Sequence, residues 1–227
     1  VCDFRTQDVE LGGQGAPLVP IGDRLLFSNY DFCLNLGGFA NVSMEIDGER
    51  IAYDICPINI VLNYYIKPLG LDYDDKGEIA SKGKINEKLL NALNTLEYYT
   101  QSFPKSLGLE WVKTEIIPLI DSFNLSIKDI LRTFCEHIAI QISNEINSKK
   151  NSNVLITGGG AYNDFLLSRL RHYTKTEMHI PENSIVEFKE ALIFGFLGVL
   201  KLREEVNCLR TVTGASKDHS SGNVFYP

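Results

Sequence analysis

Three consecutive glycines follow a strand-like run late in the chain. The run Asn153–Thr157 is rich in β-branched and aliphatic residues, and Asn163 stands where a following helix would place its N-cap. Between them lie Gly158, Gly159 and Gly160. Glycine lets the backbone approach a ligand closely, and a helix N-terminus presents free N–H groups and the positive end of a dipole. The pattern therefore suits a nucleotide or its phosphates. The alternative is a tight strand-to-helix turn without a ligand, because the residues match neither the dinucleotide fingerprint nor the P-loop.

A glycine pair forms the second candidate site. Gly37 and Gly38 end the apolar run Phe32–Leu36, and two asparagines flank the pair, Asn35 and Asn41. Successive N–H groups in such a turn form a nest that receives phosphate oxygens. A plain β-turn is the alternative interpretation.

Two aspartates are candidates for acid–base or metal chemistry. Asp3 lies beside Arg5 near the start of the chain, and Asp54 follows a β-prone run and precedes a helix-like run. A carboxylate in either place suits a general base or a magnesium ligand, and α/β sheets often carry functional carboxylates at strand ends. The alternatives are a solvated Asp3 and an Asp54 that only contacts the next helix. Lys105, in a loop framed by proline and glycine, is either a substrate contact or an ordinary surface residue.

Histidine and cysteine positions argue against a metal centre. His137 is expected on the polar part of a helix, and the four histidines show no spacing typical of metal ligands. The other three are His172, His179 and His219. The five cysteines never occur as C-x-x-C, and Cys33 and Cys135 fall inside apolar patterns. We therefore expect a reduced, cytoplasmic protein without disulfides or structural zinc.

The elements that must position these residues follow from periodicity and turn residues. β-prone runs at residues 32–36, 41–46 and 50–53, separated by Gly-Gly and Asp-Gly, predict a β-meander. Helices are predicted at residues 58–66, 86–96, 109–123 and 163–173, with two more starting at the capping boxes Ser126-x-x-Asp129 and Ser184-x-x-Glu187. Further strands are predicted at residues 153–157 and near residues 178–179. This order predicts an α/β fold with a mixed sheet and helices on both faces.

Composition bounds the class of protein. The chain has 227 residues, of which 44% are hydrophobic and 22% charged, as in ordinary soluble domains. Lys plus Arg number 22 and Asp plus Glu 29, so the net charge is −7 without any basic run, and no nucleic-acid partner is expected. Apolar runs are too short to span a bilayer, and the charged start does not suit a signal peptide. The first methionine is Met44, so we expect a fragment of a longer protein.

Taken together, these segments resemble the anhydro-N-acetylmuramic acid kinase family, bacterial cell-wall recycling enzymes of the actin-like sugar-kinase superfamily. The matching stretches occur in the family's order and span practically the whole chain. They are residues 3–5, 12–18, 34–41, 104–108, 157–163, 190–194, 211–216 and the ending Tyr226-Pro227.

The resemblance implies a two-lobed fold with the nucleotide between the lobes, of which this chain would be the C-terminal portion. Residues 1–22 would form the inter-lobe segment carrying the end of the first lobe. Residues 23–227 would form the second lobe, an actin-like/ribonuclease-H-like α/β unit with a mixed five-stranded sheet flanked by helices.

The resemblance also implies site residues. Asp3, in the Asp-Phe-Arg motif, would be the catalytic base, and Asp54 is the candidate metal ligand. The implied substrate-binding residues are Gln14, Gly13 and Arg5. The implied nucleotide-binding residues are Gly37, Gly38, Asn41, Gly158, Gly159, Gly160 and Asn163.

The implied reaction uses ATP and Mg²⁺. Water opens the 1,6-anhydro bond of anhydro-N-acetylmuramic acid while the γ-phosphoryl group goes to O6, which gives N-acetylmuramic acid 6-phosphate. The implied partner is the anhydro amino sugar, with no nucleic acid and no membrane, and a homodimer is one option. The chain alone would be inactive, because the first lobe is absent from it.

One motif departs from the family pattern. Where the family has Asp-Thr-Gly-Pro-Gly-Asn, this chain has Asp-Ile-Cys-Pro-Ile-Asn, so that Cys56 and Ile58 replace both glycines. Such side chains would narrow the space for a ligand. The alternative function is therefore a catalytically degenerate relative that acts by binding or regulation, and a different sugar kinase is a further alternative.

Overall fold

A five-stranded mixed sheet forms the centre of the computed structural model, which describes residues 1–226. Pro227, in the matching stretch at the end of the chain, lies outside the described residues. The strands are β1 Phe32–Leu36, β2 Phe39–Ile46, β3 Glu49–Pro57, β4 Asn153–Thr157 and β5 Glu177–His179. Their order is β3-β2-β1-β4-β5, with β1 to β3 antiparallel and β1, β4 and β5 parallel. The predicted mixed five-stranded sheet flanked by helices is confirmed.

Helices cover both faces of this sheet. They are α1 Thr6–Glu10, α2 Pro20–Leu26, α3 Asn59–Ile66, α4 Glu78–Ser81, α5 Glu87–Asn94, α6 Leu109–Trp111, α7 Ile117–Asp121, α8 Ile127–Ile146, α9 Asp164–Tyr173, α10 Asn183–Leu202 and α11 Arg210–Thr213. Short 3₁₀ turns lie at Lys67–Leu69, Asp75–Gly77, Glu97–Thr100 and Gly159–Tyr162. The predicted helix at residues 109–123 is α6 and α7 joined by a π-helical turn, Val112–Ile116, directly before Pro118. Proline lacks an N–H donor and crowds the preceding turn, which accounts for the irregularity there.

The longest core helix begins as its capping pattern predicts. The Ser126 hydroxyl accepts the Asp129 N–H and donates to the Asp129 carboxylate at 2.7 Å. The second predicted capping box is wrong. Helix α10 begins one residue earlier, at Asn183, without a side-chain cap, and Glu187 instead accepts a hydrogen bond from the Tyr162 hydroxyl at 2.9 Å. The Glu187 carboxylate therefore binds a residue from a distant segment instead of capping its own helix.

Two apolar clusters hold the elements together. The main core packs one face of the sheet against α3, α5, α8 and α9. The smaller cluster joins α2, α10 and the segment before α11, through residues such as Ile21, Ile193 and Leu209. Cys33 and Cys135 are buried, as predicted, and the five cysteines are free thiols. His137 is not on a polar helix face but fully buried, because α5 and the turn after it cover that side of α8.

Strand β3 is longer than residues 50–53, since it continues to Pro57 along β2 with an irregularity opposite Ala40 and Asn41. Asp54 therefore lies inside the strand rather than after it. The division at residue 22 stays a prediction. Within residues 1–226, no helix is long and apolar enough to cross a membrane.

Candidate functional site

A cleft of about 920 Å³ lies over the polar face of the sheet. Successive side chains of a strand point to opposite faces. In β1, Leu34 and Leu36 enter the main core, whereas Cys33 and Asn35 line the cleft. The alternation in β1 therefore separates a core face from a ligand-accessible face.

Segments far apart in the sequence complete the walls of the cleft. Of the predicted site residues, those that line it are Gln14, Gly37, Asn41, Asp54 and Gly158. Those that do not line it are Asp3, Arg5, Gly13, Gly38, Gly159, Gly160 and Asn163. The remaining walls come from residues 16–23, 104–106, 186–190 and 210–214. Five candidate residues from four separate segments thus meet in one place.

The Gly37-Gly38 turn is tied to the start of α3. The Gly38 carbonyl accepts the N–H groups of Ile58 and Ile60 at 2.8 and 3.3 Å, and the Gly37 carbonyl accepts that of Asn59 at 3.4 Å. The first donors of α3 are therefore satisfied by the turn. This arrangement holds the turn rigidly at the edge of the cleft.

The three glycines after β4 have different surroundings. Gly158 has a φ of +85°, and a Cβ there would lie 2.6 Å from the Asn35 Oδ1 atom, so only glycine fits. At Gly160 a Cβ would lie 2.7 Å from the Leu36 Cβ. Gly159 is exposed, and its nearest neighbour would be an amide nitrogen 3.8 Å away. Two of the glycines are required by packing against β1, whereas at the middle one a side chain would meet only an ordinary van der Waals contact.

Helix α9 does not start directly at the glycines, because the turn Gly159–Tyr162 intervenes. Asn163 is its N-cap, as predicted, and its side chain accepts the Leu166 N–H at 2.9 Å. The Gly158 N–H donates to the Val186 carbonyl at 3.1 Å and so links this turn to α10. Part of the predicted donor set is therefore used within the protein.

Asp54 is half-buried on the floor of the cleft. Its Oδ2 atom accepts the Leu107 N–H at 2.9 Å, and its carbonyl accepts the Tyr98 hydroxyl at 2.6 Å. Burial raises the pKa of Asp54, and the hydrogen bond from Leu107 acts in the opposite direction. Among residues 1–226, the Oδ1 atom has no hydrogen-bond partner. A carboxylate with one free oxygen fits a hard cation such as Mg²⁺.

Lys105 lines the cleft next to Asp54. Of its two interpretations from the sequence, the ordinary surface residue is therefore wrong. Its Nζ atom lies 5.1 Å from the centre of the Tyr98 ring and 5.6 Å from that of Tyr53. The Glu145 carboxylate is 3.8 Å away, and the Lys105 side chain is 6% exposed. The aromatic rings and the carboxylate hold a fixed positive charge in the wall of the cleft.

A buried ion pair at the other end of the cleft was not predicted from the sequence. The Lys189 Nζ atom donates to the Asp23 Oδ1 atom at 2.9 Å, with side chains 7% and 5% exposed. The Ser43 hydroxyl donates to the other Asp23 oxygen at 2.6 Å, and Arg50 donates to Ser43 at 2.8 Å. The only sequence signal was that Lys189 precedes the matching stretch at residues 190–194.

The comparisons with known proteins agree with the motifs. A family model described as "Anhydro-N-acetylmuramic acid kinase" matches residues 1–227. The chain belongs to this family. It is 33% identical to the Vibrio cholerae protein of that name over 243 residues, and 34% identical to the Saccharophagus degradans protein over 239 residues. These alignments cover 100% of this chain but 65% and 64% of the relatives, so the chain spans just under two thirds of their length.

A solved structure is also similar to the chain. It is the activator of the 2-hydroxyisocaproyl-CoA dehydratase from Clostridium difficile with bound ADPNP, at a TM-score of 0.47 and 20% identity. The match covers 77% of this chain and 61% of the activator chain.

The family's Asp-Phe-Arg motif lies at the start of the described chain. Asp3 is exposed and has a φ of 56°, an uncommon value for a residue other than glycine. Its Oδ1 atom accepts the Thr6 hydroxyl at 2.7 Å, and its Oδ2 atom accepts the Asn223 amide at 3.3 Å. Arg5 donates to the Gly15 carbonyl at 2.7 Å. These contacts hold the motif in a defined conformation outside the cleft walls.

The family's glycine-rich turn around residues 12–15 packs on a buried carboxylate. A Cβ at Gly13 would lie 2.2 Å from the Asp8 Oδ2 atom, so glycine is required there for packing. Gln14 is exposed in the cleft, and its N–H donates to the Thr213 carbonyl at 2.9 Å. Gly13 thus supports the turn, and Gln14 is its member that faces the cleft.

Cys56 and Ile58, which replace the family glycines, do not enter the cleft. Both are fully buried in the main core, on the opposite side from the ligand-accessible face. The expectation that they narrow the space for a ligand is therefore wrong. The pleat of β3 directs Asp54 to the cleft and Cys56 into the core, because the irregularity near Asn41 shifts the register between them.

Proposed function

We propose that the protein of which this chain forms part is an ATP-dependent kinase of anhydro-N-acetylmuramic acid. It would open the 1,6-anhydro bond with water and phosphorylate O6, which gives N-acetylmuramic acid 6-phosphate for cell-wall recycling. The observation that carries the proposal is the convergence of family motif residues on one cleft. Gln14, Gly37, Asn41 and Gly158 lie up to 144 positions apart in the chain (158 minus 14) and line the same space.

The nucleotide would lie along the sheet edge. Gly37 and Asn41, which line the cleft, would face its phosphates with Gly38 beside them, and Gly158 would face the adenosine. Gly159, Gly160 and Asn163 would shape the turn that carries Gly158. Gly159 supports this, because it is exposed and a Cβ there would meet only the Asn59 amide, at 3.8 Å. Phosphoryl transfer depends mainly on positioning and charge stabilisation. Asp54 would hold Mg²⁺, which supplies charge neutralisation at the phosphates when bound.

Asp3 would take the proton from the attacking water. The water oxygen bonds to C1 of the sugar, the C1–O6 bond breaks, and O6 takes the γ-phosphoryl group, so that ADP leaves. A carboxylate is the appropriate base because positive charge develops on the sugar as the bond opens. The left-handed backbone of Asp3 supports a functional role, since such conformations cluster at active sites. Gln14 would shape the sugar side, and Gly13 and Arg5 would support the turn that presents it.

The alternative function, a catalytically degenerate relative that acts by binding or regulation, depended on Cys56 and Ile58. Both side chains lie in the main core and neither lines the cleft, so the replacement of the glycines does not narrow the cleft. Nothing in residues 1–226 blocks the proposed phosphate site, so the kinase is the better supported function.

The decisive experiment is a turnover assay on the full-length protein with Mg²⁺-ATP and anhydro-N-acetylmuramic acid. The expected product is heavier than the substrate by one water and one phosphoryl unit, and it carries one label at C1 when the reaction runs in ¹⁸O water. The proposal is wrong if the product lacks the water, or if only other sugars are phosphorylated. The 227-residue chain alone should fold but give no product, because about a third of the relatives' length lies outside it and the phosphoryl group would stay exposed to water.

The base is tested by Asp3→Asn in the full-length protein. Turnover should fall by about 10²–10⁴-fold, the usual contribution of a general base, while ATP affinity is kept. Asparagine still accepts the Thr6 hydrogen bond, so the local structure should survive. Asp47→Asn is the matched control, because Asp47 is also exposed and has a φ of 51°. Near-normal turnover of Asp3→Asn would remove Asp3 from the mechanism.

A further inference from the structure

Asp8, Cys208 and His219 meet in the interior, outside the cleft. One carboxylate oxygen, the thiol sulfur and a ring nitrogen all lie within 4.8 Å of one another. All three residues are buried, with exposures of 0%, 1% and 5%. The sequence predicted no metal centre, because these residues are separated by up to 211 positions (219 minus 8).

The ring of His219 presents a lone pair to this space. Its Nδ1 atom lies 3.1 Å from the Lys217 carbonyl, which only accepts, so Nδ1 carries the proton. In the neutral ring, Nε2 then holds a lone pair, and it has no hydrogen-bond partner among the described residues. Nε2 points at the Asp8 Oδ1 atom from 3.5 Å. This lone pair and the carboxylate repel each other unless a proton or a metal ion lies between them.

We propose that Asp8, Cys208 and His219 bind a divalent transition metal, with Zn²⁺ as the fitting ion. Imidazole, thiolate and carboxylate are the side chains that zinc binds in proteins. Bond lengths of about 2.0–2.3 Å place neighbouring ligands of a tetrahedral zinc roughly 3.3–3.6 Å apart. The 3.5 Å distance from His219 to Asp8 already matches this, and the sulfur lies within 4.8 Å of both atoms.

Charge balance favours the metal in this interior. Carboxylate plus thiolate carry two negative charges, which a divalent ion neutralises. A bound metal displaces the proton of a ligating thiol, as it does in thiolate sites generally.

Hydrogen bonds from the surrounding protein orient two of the three proposed ligands, Asp8 and His219. The Asp8 Oδ2 atom accepts the Gly15 N–H at 2.7 Å, and its Oδ1 atom accepts the Thr213 hydroxyl at 2.7 Å. The Lys217 carbonyl orients the His219 ring, which is the common arrangement for a metal-bound histidine. The metal would link α1 to the segment 208–219. The cleft-lining residue Gln14 follows α1, and the cleft-lining residue Thr213 lies within the segment 208–219. The metal site would therefore stabilise one wall of the cleft.

The test uses the whole 227-residue chain after removal of metals by a chelator. Titration with Co²⁺ should give one ion per chain, with the visible bands of a tetrahedral site and a near-ultraviolet band from thiolate to cobalt. Zn²⁺ should displace the cobalt and raise the melting temperature. Cys208→Ser should lose the thiolate band, whereas Cys135→Ser, which removes another buried thiol, should keep it.

Weak, non-stoichiometric binding by the folded wild-type chain would overturn the proposal. A thiolate band that survives in Cys208→Ser would also overturn it, because the sulfur would then come from elsewhere. If Cys208→Ser does not fold, the wild-type measurements of stoichiometry and spectrum still decide the question. A His219→Gln variant that binds Co²⁺ with unchanged affinity and an unchanged spectrum would likewise contradict the site.

Discussion

Replacement of His137 by glutamine should flatten the loss of stability that the protein shows in mild acid. His137 is fully buried in α8. Its Nδ1 atom lies 2.6 Å from the Asn94 Oδ1 atom, and its Nε2 atom lies 2.9 Å from the Tyr99 hydroxyl. Gln141 also donates to that Asn94 oxygen, so the oxygen is an acceptor and Nδ1 is its donor. Both ring nitrogens are thus satisfied in the neutral form, with Tyr99 donating to Nε2.

The magnitude follows from the pKa of this histidine. Burial lowers the pKa of His137 from 6.5 to about 3 in the folded protein. The unfolded chain therefore binds a proton between these pH values while the folded chain does not, and stability falls as pH falls through this window. Each pKa unit is worth about 1.4 kcal/mol, so the full effect is about 5 kcal/mol. Between pH 6.5 and pH 5 it amounts to about 2 kcal/mol.

The assay is urea unfolding of the wild type and of His137→Gln at pH 6.5 and pH 5. Glutamine offers one donor and one acceptor, as the neutral ring does, but it does not titrate. The wild type should lose about 2 kcal/mol more than the variant between the two pH values, whatever their absolute stabilities. His172→Gln, which changes an exposed histidine, should behave as the wild type. Equal pH dependence of the wild type and His137→Gln would refute the reasoning.

Two further predictions concern the cleft. Lys189→Met should lower the free energy of unfolding by about 3–5 kcal/mol, because it leaves the buried Asp23 carboxylate without its cation. Adding Asp23→Asn should recover part of that loss in urea unfolding, and a double variant no more stable than Lys189→Met would contradict the ion-pair explanation. Gly159→Val should fold normally by circular dichroism, because a Cβ there meets only the Asn59 amide at 3.8 Å. It should lower the ATP affinity of the full-length protein in calorimetry, since the added side chain would project from the proposed adenosine turn. Gly160→Ala should instead lose stability, because it presses on β1, and unchanged ATP affinity in Gly159→Val would show that the glycine turn has no ligand role.

The sequence alone determined the local elements and the fold class. The Asp47-Gly48 pair predicts the hairpin between β2 and β3, and Ser126 with Asp129 predicts the start of α8. Both depend on residues fewer than five positions apart, so that neighbouring side chains and backbone decide the outcome. The ordered motifs also identified the family, because they are written in the chain itself.

Features that depend on strand register could be predicted only in part. The glycines after β4 were found as a candidate site, but the sequence did not separate Gly159 from its two neighbours. That separation depends on how closely β1 approaches β4. In the same way, the composition of β3 did not reveal that Asp54 faces the cleft while Cys56 faces the core, since one irregular pair with β2 decides it.

Contacts between distant segments were decided by the tertiary structure alone. Lys189 meets Asp23 across 166 positions, and His219 meets Asp8 only because the end of the chain returns to its beginning. A buried charge or a buried histidine ring needs a polar partner. When that partner is far away in the sequence, the residue type and the local spacing do not indicate which residue it is. Local sequence therefore determines helices, turns and family motifs. The packing of those elements determines which charged groups are buried together and where a ligand or metal finds its contacts.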